Sequence, residues 1–210
     1  MIKLSNVTKK FGEKTVISDL SYTFADGTVY ILHGKSGSGK STLLSLIART
    51  DKKYEGKIEC GTVSMSFQNA NLLPSLSVLD NVLLAVHPKS KPQDQSAIDF
   101  LSAEKMRAEL LLSELGITDF NQFPAALSGG MQARVGVARA LMKPADIYLF
   151  DEPFSGLDRE SIARTAAVIR KNTEGKTVIA VVHDSMEVPF FADVTLELQR
   201  DTASCLVRIL

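Results

Sequence analysis

Hydrophobic and polar positions follow one rhythm in the first third of the chain and another in its middle. Short runs rich in β-branched and aromatic residues, Ile2 to Val7, Thr15 to Phe24 and Val29 to Leu32, predict strands divided by Gly12 and by Asp26-Gly27. Asp-Gly is a favoured hairpin turn, which predicts pairing of the strands on either side of it. Lys57 to Cys60 and Thr62 to Phe67 flank Gly61 and read as a further pair of strands. A loop, Gln68 to Ser77, follows with Pro74 inside it. From Val78 the apolar spacing becomes helical: Val78, Val82 and Ala85 form one stripe, and Met106, Leu110 and Leu111 form another. Between the two, His87 to Gln95 carries two prolines and several Lys and Gln residues and reads as a solvated loop. Leu115-Gly116-Ile117 reads as a helix stop.

Alternation then returns. Ile147 to Phe150 and Thr177 to Val182 are continuous apolar runs, the pattern of strands covered on both faces. Ser161 to Lys171 reads as a helix, and Val194 to Leu198 and Leu206 to Leu210 as terminal strands. Strand–helix–strand order implies a largely parallel sheet with right-handed crossovers. The chain is therefore expected to be α/β, with a mostly helical block over about residues 73–136 and no internal repeat.

Composition narrows the class. At 210 residues the chain can hold one domain, or one domain with an inserted subdomain. Its 24 basic and 24 acidic residues balance, which argues against a nucleic-acid partner. Cys60 and Cys205 are far apart and lack zinc-ligand spacing, so a reducing compartment is expected. The start carries no long apolar signal region and no stretch reaches membrane-spanning length, so a soluble, cytosolic chain is expected.

The candidate chemistry begins at Gly34-Lys35-Ser36-Gly37-Ser38-Gly39-Lys40-Ser41-Thr42, set between an apolar strand and an apolar helix. This is the setting of a phosphate-binding loop: curled backbone N–H groups and a helix N-terminus face one anion. Lys40 would reach the β- and γ-phosphates, and the Ser41 hydroxyl would be a magnesium ligand. Asp151-Glu152 ends a buried strand, where ligands of parallel sheets gather. Asp151 could hold magnesium beside Ser41, and Glu152 could polarise the attacking water. His183 ends the other buried strand and is either structural or a γ-phosphate contact. Gln68 could bridge magnesium and water or be an exposed loop amide. Ser128-Gly129-Gly130-Met131-Gln132 precedes a helix and makes a second anion-binding terminus. One nucleotide does not need two cradles, so the second suggests a nucleotide held by another subunit.

These motifs, in this order, resemble the ATP-binding-cassette (ABC) ATPases over nearly the whole chain. Gly34 to Thr42 is similar to the Walker A loop, Gln68 to the Q-loop and Leu127 to Gln132 to the signature. Asp151-Glu152-Pro153 is similar to Walker B, Ser155-Gly156-Leu157-Asp158 to the D-loop and His183 to the H-loop. The resemblance implies a P-loop NTPase (RecA-like) core with an N-terminal antiparallel β subdomain and an inserted α-helical subdomain. Residues 1–72 and 137–210 would form the ATP-binding core with its β subdomain, and 73–136 the signature subdomain. It also implies ATP and Mg2+ as ligands and a head-to-tail dimer, each nucleotide lying between Gly34 to Thr42 of one copy and Ser128, Gly129 and Gly130 of the other. In that scheme Gln132 and Asp158 belong to the nucleotide interface. His183 contacts the γ-phosphate, Gln68 contacts metal and water, and Phe11 stacks on adenine with Val16 nearby.

Departures from the commonest pattern are Lys35 for proline, His33 for an apolar residue, Met131 for glutamine and Gly156 for alanine. None removes a catalytic group. The short interval between Walker A and signature lacks sustained heptads, which disfavours the coiled-coil repair branch, and a single cassette disfavours the translation-factor branch. The remaining expectation is the motor subunit of a transporter whose integral membrane permease is a separate chain, with no appended regulatory domain after His183. Such a subunit is cytoplasmic, peripheral on the inner face of the membrane, and its permease would contact Leu72-Leu73-Pro74 and Val78. Pro153-Phe154 and Gly129-Gly130-Met131 lean toward importers of oxyanions, sulfonates and related small solutes, which an extracytoplasmic solute-binding protein would complete. A non-transport ABC ATPase and a small-molecule P-loop kinase are the alternatives; a kinase gives no reason for Leu127 to Gln132.

Overall fold

The structure is a computed structural model and describes residues 1–86, 95–183, 188, 191–200 and 205–209. The chain divides into two compact units, one of residues 1–65, 145–152 and 173–210, the other of 66–144 and 153–172. The expected loop over His87 to Gln95 lies almost wholly outside the described residues.

The first unit contains two sheets. β1 (Ile2–Phe11), β2 (Lys14–Phe24) and β4 (Glu55–Glu59) form an antiparallel sheet in the order β2-β1-β4. The second sheet has the order β5-β6-β7-β3-β8-β9. Its strands are β3 (Val29–His33), β5 (Val63–Ser66), β6 (Ile147–Asp151), β7 (Thr177–Val181), β8 (Val194–Arg200) and β9 (Cys205–Ile209). β6, β7, β3 and β8 run parallel, while β9 returns antiparallel to β8.

Two pairing expectations are overturned. β2 and β3 do not form a hairpin across Asp26-Gly27, because β2 pairs with β1 and β3 lies between β7 and β8. β4 and β5 do not pair either, since β4 borders β1 and β5 borders β6. The reason is burial. Val29 to Leu32 is apolar throughout and gains most between strands that are equally covered. Lys57 and Glu59 alternate outward, as suits the edge of a half-solvated sheet. Asp26-Gly27 therefore turns the chain from one sheet into the other.

The helix α1 (Lys40–Ile47) covers the parallel sheet with Leu43, Leu44, Leu46 and Ile47, all fully buried. They share one core with Leu32, Leu149 and Val181 of the parallel sheet and with Leu20 and Phe24 of the antiparallel one. Burying each such side chain contributes about 1.5–3 kcal/mol, enough for this cluster to outweigh any local turn preference.

The second unit is helical: α2 (Val78–Leu83), α3 (Gln95–Glu114), a 3-10 turn at Pro124–Ala126, α4 (Gly129–Met142) and α5 (Arg159–Asn172). Ser77 caps α2, its hydroxyl accepting the Asp80 N–H. The expected stop at Gly116 is a Schellman end: Ile117 N–H donates to the Leu112 carbonyl and Gly116 N–H to that of Ser113, with Gly116 at φ 77°. Val78 and Val82 are buried as expected, but the second stripe is corrected. Leu111 is buried as expected, but Met106 and Leu110 are 67% and 59% exposed; Ala108 and Leu112 of α3, and Leu115 just after it, turn inward with Leu111. That set recurs at three, four and seven residues, a wider apolar face than Met106 and Leu110 could offer. No described helix is long and apolar enough to cross a membrane.

Candidate functional site

In the first unit the site is built where β3, β7 and β6 end together. Their parallel register puts Leu32 beside Val181 and Val181 beside Asp151, so the loop after β3 and the acid ending β6 share one rim. The chain leaves β3 through Gly34 at φ 145°, a conformation only glycine adopts readily. A Cβ there would lie 2.6 Å from the Leu198 carbonyl of β8 and 2.8 Å from Ser38 Oγ. The glycine is thus needed both for its torsion and for a close approach of the loop to β8. At the other end Gly39, at φ 102°, precedes α1 and packs under Val16, whose Cγ1 would be 3.2 Å from an added Cβ. Val16 is therefore brought against the loop as a packing partner.

Within the loop, Lys40 Nζ donates to the Gly34 carbonyl and, at 3.3 Å, to that of Lys35. Ser38 N–H donates to the Lys35 carbonyl at 3.0 Å, closing the turn. The Ser38 hydroxyl is buried and has no hydrogen-bond partner among the described residues. The N-terminus of α1 carries neither a side-chain cap nor an acidic residue. A buried orphan hydroxyl, uncapped N–H groups and a nearby ammonium suit a phosphate group and would penalise a cation. Ser36, Gly37 and Ser41 are exposed around this cradle, and Thr42 is half-buried.

Ser41 Oγ donates to Asp151 Oδ1 at 3.0 Å, joining residues 110 positions apart in the chain. Asp151 is 5% exposed. Burial raises its carboxyl pKa; the Ser41 hydrogen bond opposes that, the Glu152 charge adds to it, and the Lys40 charge opposes it. A buried carboxylate beside a hydroxyl, held above its ordinary pKa, gains from a divalent cation. Mg2+ needs only one or two such ligands, because water and phosphate complete its octahedron. The chemistry of these residues therefore suits a magnesium–nucleotide complex, with Ser41 and Asp151 as the side chains that would hold the metal.

Glu152 has φ 52°, a left-handed backbone that costs a non-glycine residue about 1–2 kcal/mol. The Glu152 N–H donates to the Val181 carbonyl at 3.0 Å, fixing that conformation at the end of β7. Two residues beyond Val181 stands His183, exposed. The strained turn separates Glu152 from the buried Asp151 and leaves its side chain partly accessible, as a water-polarising base requires. No sequence signal announced this torsion. Phe11 lies at the end of β1 and is 54% exposed.

In the second unit Gln68 is exposed just after β5. The residues following it are pinned by two side chains that sequence reading missed. Asn81 is fully buried; its amide donates to the Leu73, Leu76 and Ser77 carbonyls, and its carbonyl accepts the Leu73 N–H at 2.7 Å. Arg139 of α4 donates to the carbonyls of Ala70 and, at 3.1 Å, Asn71. Burial pulls its guanidinium pKa downward. An Asn in a short helix and an Arg in the last turn of α4 look unremarkable in sequence, and only their contacts reveal them. Leu73 is 47% exposed, whereas Val78 is fully buried.

Ser128 caps α4, its hydroxyl accepting the Met131 N–H at 3.2 Å, and remains exposed. Gly129 faces open space, but a Cβ at Gly130 would meet Leu157 Cδ2 at 2.7 Å and the Gly156 carbonyl at 3.0 Å. Gly130 thus lets α4 seat against the Ser155–Asp158 turn. Gln132 donates its amide to the Pro124 and Leu127 carbonyls at 3.2 and 3.3 Å, bracing the approach to the cap. Asp158 accepts the Ser161 N–H at 2.8 Å and so caps α5; that bond holds its carboxyl below the usual carboxylate range.

The chain as a whole is similar to known proteins. The family described as "ABC transporter" matches residues 17–155. The arginine transport ATP-binding protein ArtM of Bacillus subtilis is 35% identical over 202 residues, covering 88% of this chain and 81% of that protein. The aliphatic sulfonates import ATP-binding protein SsuB 2 of Rhodococcus jostii is 35% identical over 206 residues, covering 95% and 79%. Among solved structures, an ATP-binding cassette in a dimeric post-hydrolysis state bound to ADP and Pi aligns with a TM-score of 0.81 and 30% identity, over 95% of this chain and 94% of that one.

Proposed function

This chain belongs to the ABC transporter family, and we propose that it is the ATP-hydrolysing motor subunit of a small-solute importer. The observation that carries the reading is the Ser41–Asp151 bond behind a loop whose buried Ser38 hydroxyl has no partner among the described residues. Together they supply a metal ligand pair and a phosphate cradle in one place.

In this reading the backbone N–H groups of Gly34 to Thr42 and Lys40 hold the phosphates, and Lys40 leaves its intraloop carbonyls to do so. Ser41 and Asp151 would hold Mg2+, which would neutralise developing charge on the phosphates; the family resemblance assigns Gln68 a further contact with metal and water. Glu152 accepts a proton from the attacking water, and His183 and Gln68 orient that water and the γ-phosphate. Phe11 stacks on adenine. Ser128, Gly129 and Gly130 of a second copy close over the γ-phosphate, with Gln132 bracing them and Asp158 at the same interface. Residues 1–72 and 137–210 act as the ATP-binding core, and 73–136 as the signature subdomain.

The relatives named for arginine, glutamate, glutamine and sulfonate transport support a separate permease as partner, at the inner face of the membrane. A solute-binding protein on the far side would deliver the solute. Reconstitution with the membrane protein that co-purifies with the chain tests the proposal. Hydrolysis of ATP to ADP and phosphate should rise severalfold on adding it. An ATPase indifferent to any membrane partner would refute the transport reading.

A further inference from the structure

Lys9 is 3% exposed, although it lies on a strand whose neighbour Lys10 faces water. Its Nζ is 2.6 Å from Asp51 Oδ2 and donates to the Lys53 carbonyl at 2.7 Å. The same nitrogen sits over the Phe11 ring, 4.6 Å from its centroid. A carboxylate, a carbonyl and a π-face thus compensate the buried ammonium. The ammonium covers one face of the ring, yet Phe11 stays 54% exposed.

We propose that Lys9 is a positioning residue for the nucleotide base, acting through Phe11; this rests on the reading of Phe11 as the adenine platform. Two electron-rich rings stacked face to face repel through their quadrupoles. A cation behind one of them draws its density away and strengthens the stack on the open side. The ammonium also holds the ring in one orientation, so less freedom is lost when the base arrives. Asp51, the anchor, bonds through its own N–H to the Ser45 carbonyl of α1 at 3.3 Å. The platform is therefore tied to the end of the helix whose beginning is the phosphate cradle. Lys9 sets the spacing between base and triphosphate sites within one unit.

The test is a double-mutant cycle on the full chain, titrating magnesium-ATP and magnesium-tripolyphosphate by calorimetry. K9M keeps the aliphatic stem and removes the charge, while F11L removes the ring. K9M and F11L should each weaken ATP about fivefold, the size of one partly buried cation–π contact. The double variant should bind ATP no more weakly than F11L alone, and tripolyphosphate affinity should stay unchanged throughout. Additive losses, or a parallel loss of tripolyphosphate binding, would overturn the role of Lys9. If F11L binds ATP as the parent does, the stacking reading fails first, and the inference falls with it. Should K9M not fold, D51N carries the test, since it frees Nζ from its anchor without emptying the site. An ATP-specific loss of about twofold is then expected, and none would refute the proposal.

Discussion

Asp151→Asn should stabilise the ligand-free protein while removing its response to magnesium-ATP. The carboxylate is 5% exposed, faces the Glu152 charge and is opposed only by the Ser41 bond and Lys40. Asparagine keeps an oxygen to accept from Ser41 Oγ at 3.0 Å and deletes the buried charge. Relief of such a functional-site penalty amounts to about 1 kcal/mol. For a chain of this size that is a rise of about 2–4 °C in Tm. Magnesium-ATP at a hundredfold its Kd adds about 2.7 kcal/mol to the parent and far less to the variant. The order of the two melting curves should therefore reverse on adding ligand.

The pH dependence gives a second handle on the same residue. A carboxyl whose folded pKa lies above its ordinary value of 3.8 binds its proton more tightly in the folded state. Its contribution to stability is greatest below 3.8 and is lost as pH rises through the folded pKa. The parent should carry this downward slope in the absence of ligand, and Asp151→Asn should lack it. Thermal unfolding followed by circular dichroism across mildly acidic to neutral pH, with and without magnesium-ATP, reads both effects. A variant that melts below the parent without ligand, or that keeps the full magnesium-dependent gain, would refute the assignment.

Other perturbations separate the remaining roles. Glu152→Gln should slow hydrolysis about 10²–10⁴-fold while ATP binding survives, trapping an ATP-bound dimer that size-exclusion chromatography detects; rapid turnover would remove Glu152 from the base role. Ser128→Arg should lose the α4 cap at a cost of about 1 kcal/mol and abolish hydrolysis. Its monomer should bind ATP as tightly as the parent, and outright loss of binding would contradict the partner-subunit role. Gly56→Ala should destabilise by about 3 kcal/mol or more. Its φ is 91°, and its Cβ would lie 2.3 Å from the Asn6 carbonyl across the β1–β4 pair. A Tm within about 1 °C of the parent would show that the sheet yields at that point.

What the residues alone determined was local. A glycine-rich turn between β3 and α1, a helix stop at Gly116, a Ser128 cap and two strands buried on both faces depend on near neighbours, and each formed where the pattern put it. The ordered motifs were legible for the same reason, since each occupies a few consecutive positions. The tertiary structure decided what depends on distant partners. Asp26-Gly27 has a hairpin's chemistry, yet β3 gains more between β7 and β8 than beside β2, so burial overrode the turn. Met106 and Leu110 are as apolar as Leu112, but the face of α3 that turns inward was chosen by the surface it packs on. Ser41 meets Asp151 across 110 residues, and Lys9 meets Asp51 across β2, β3 and α1. Pairings of that length cost chain entropy that only the assembled core repays. The sequence could name the acid, the hydroxyl and the aromatic ring; their separations, burial and mutual charge exist only once the core has closed.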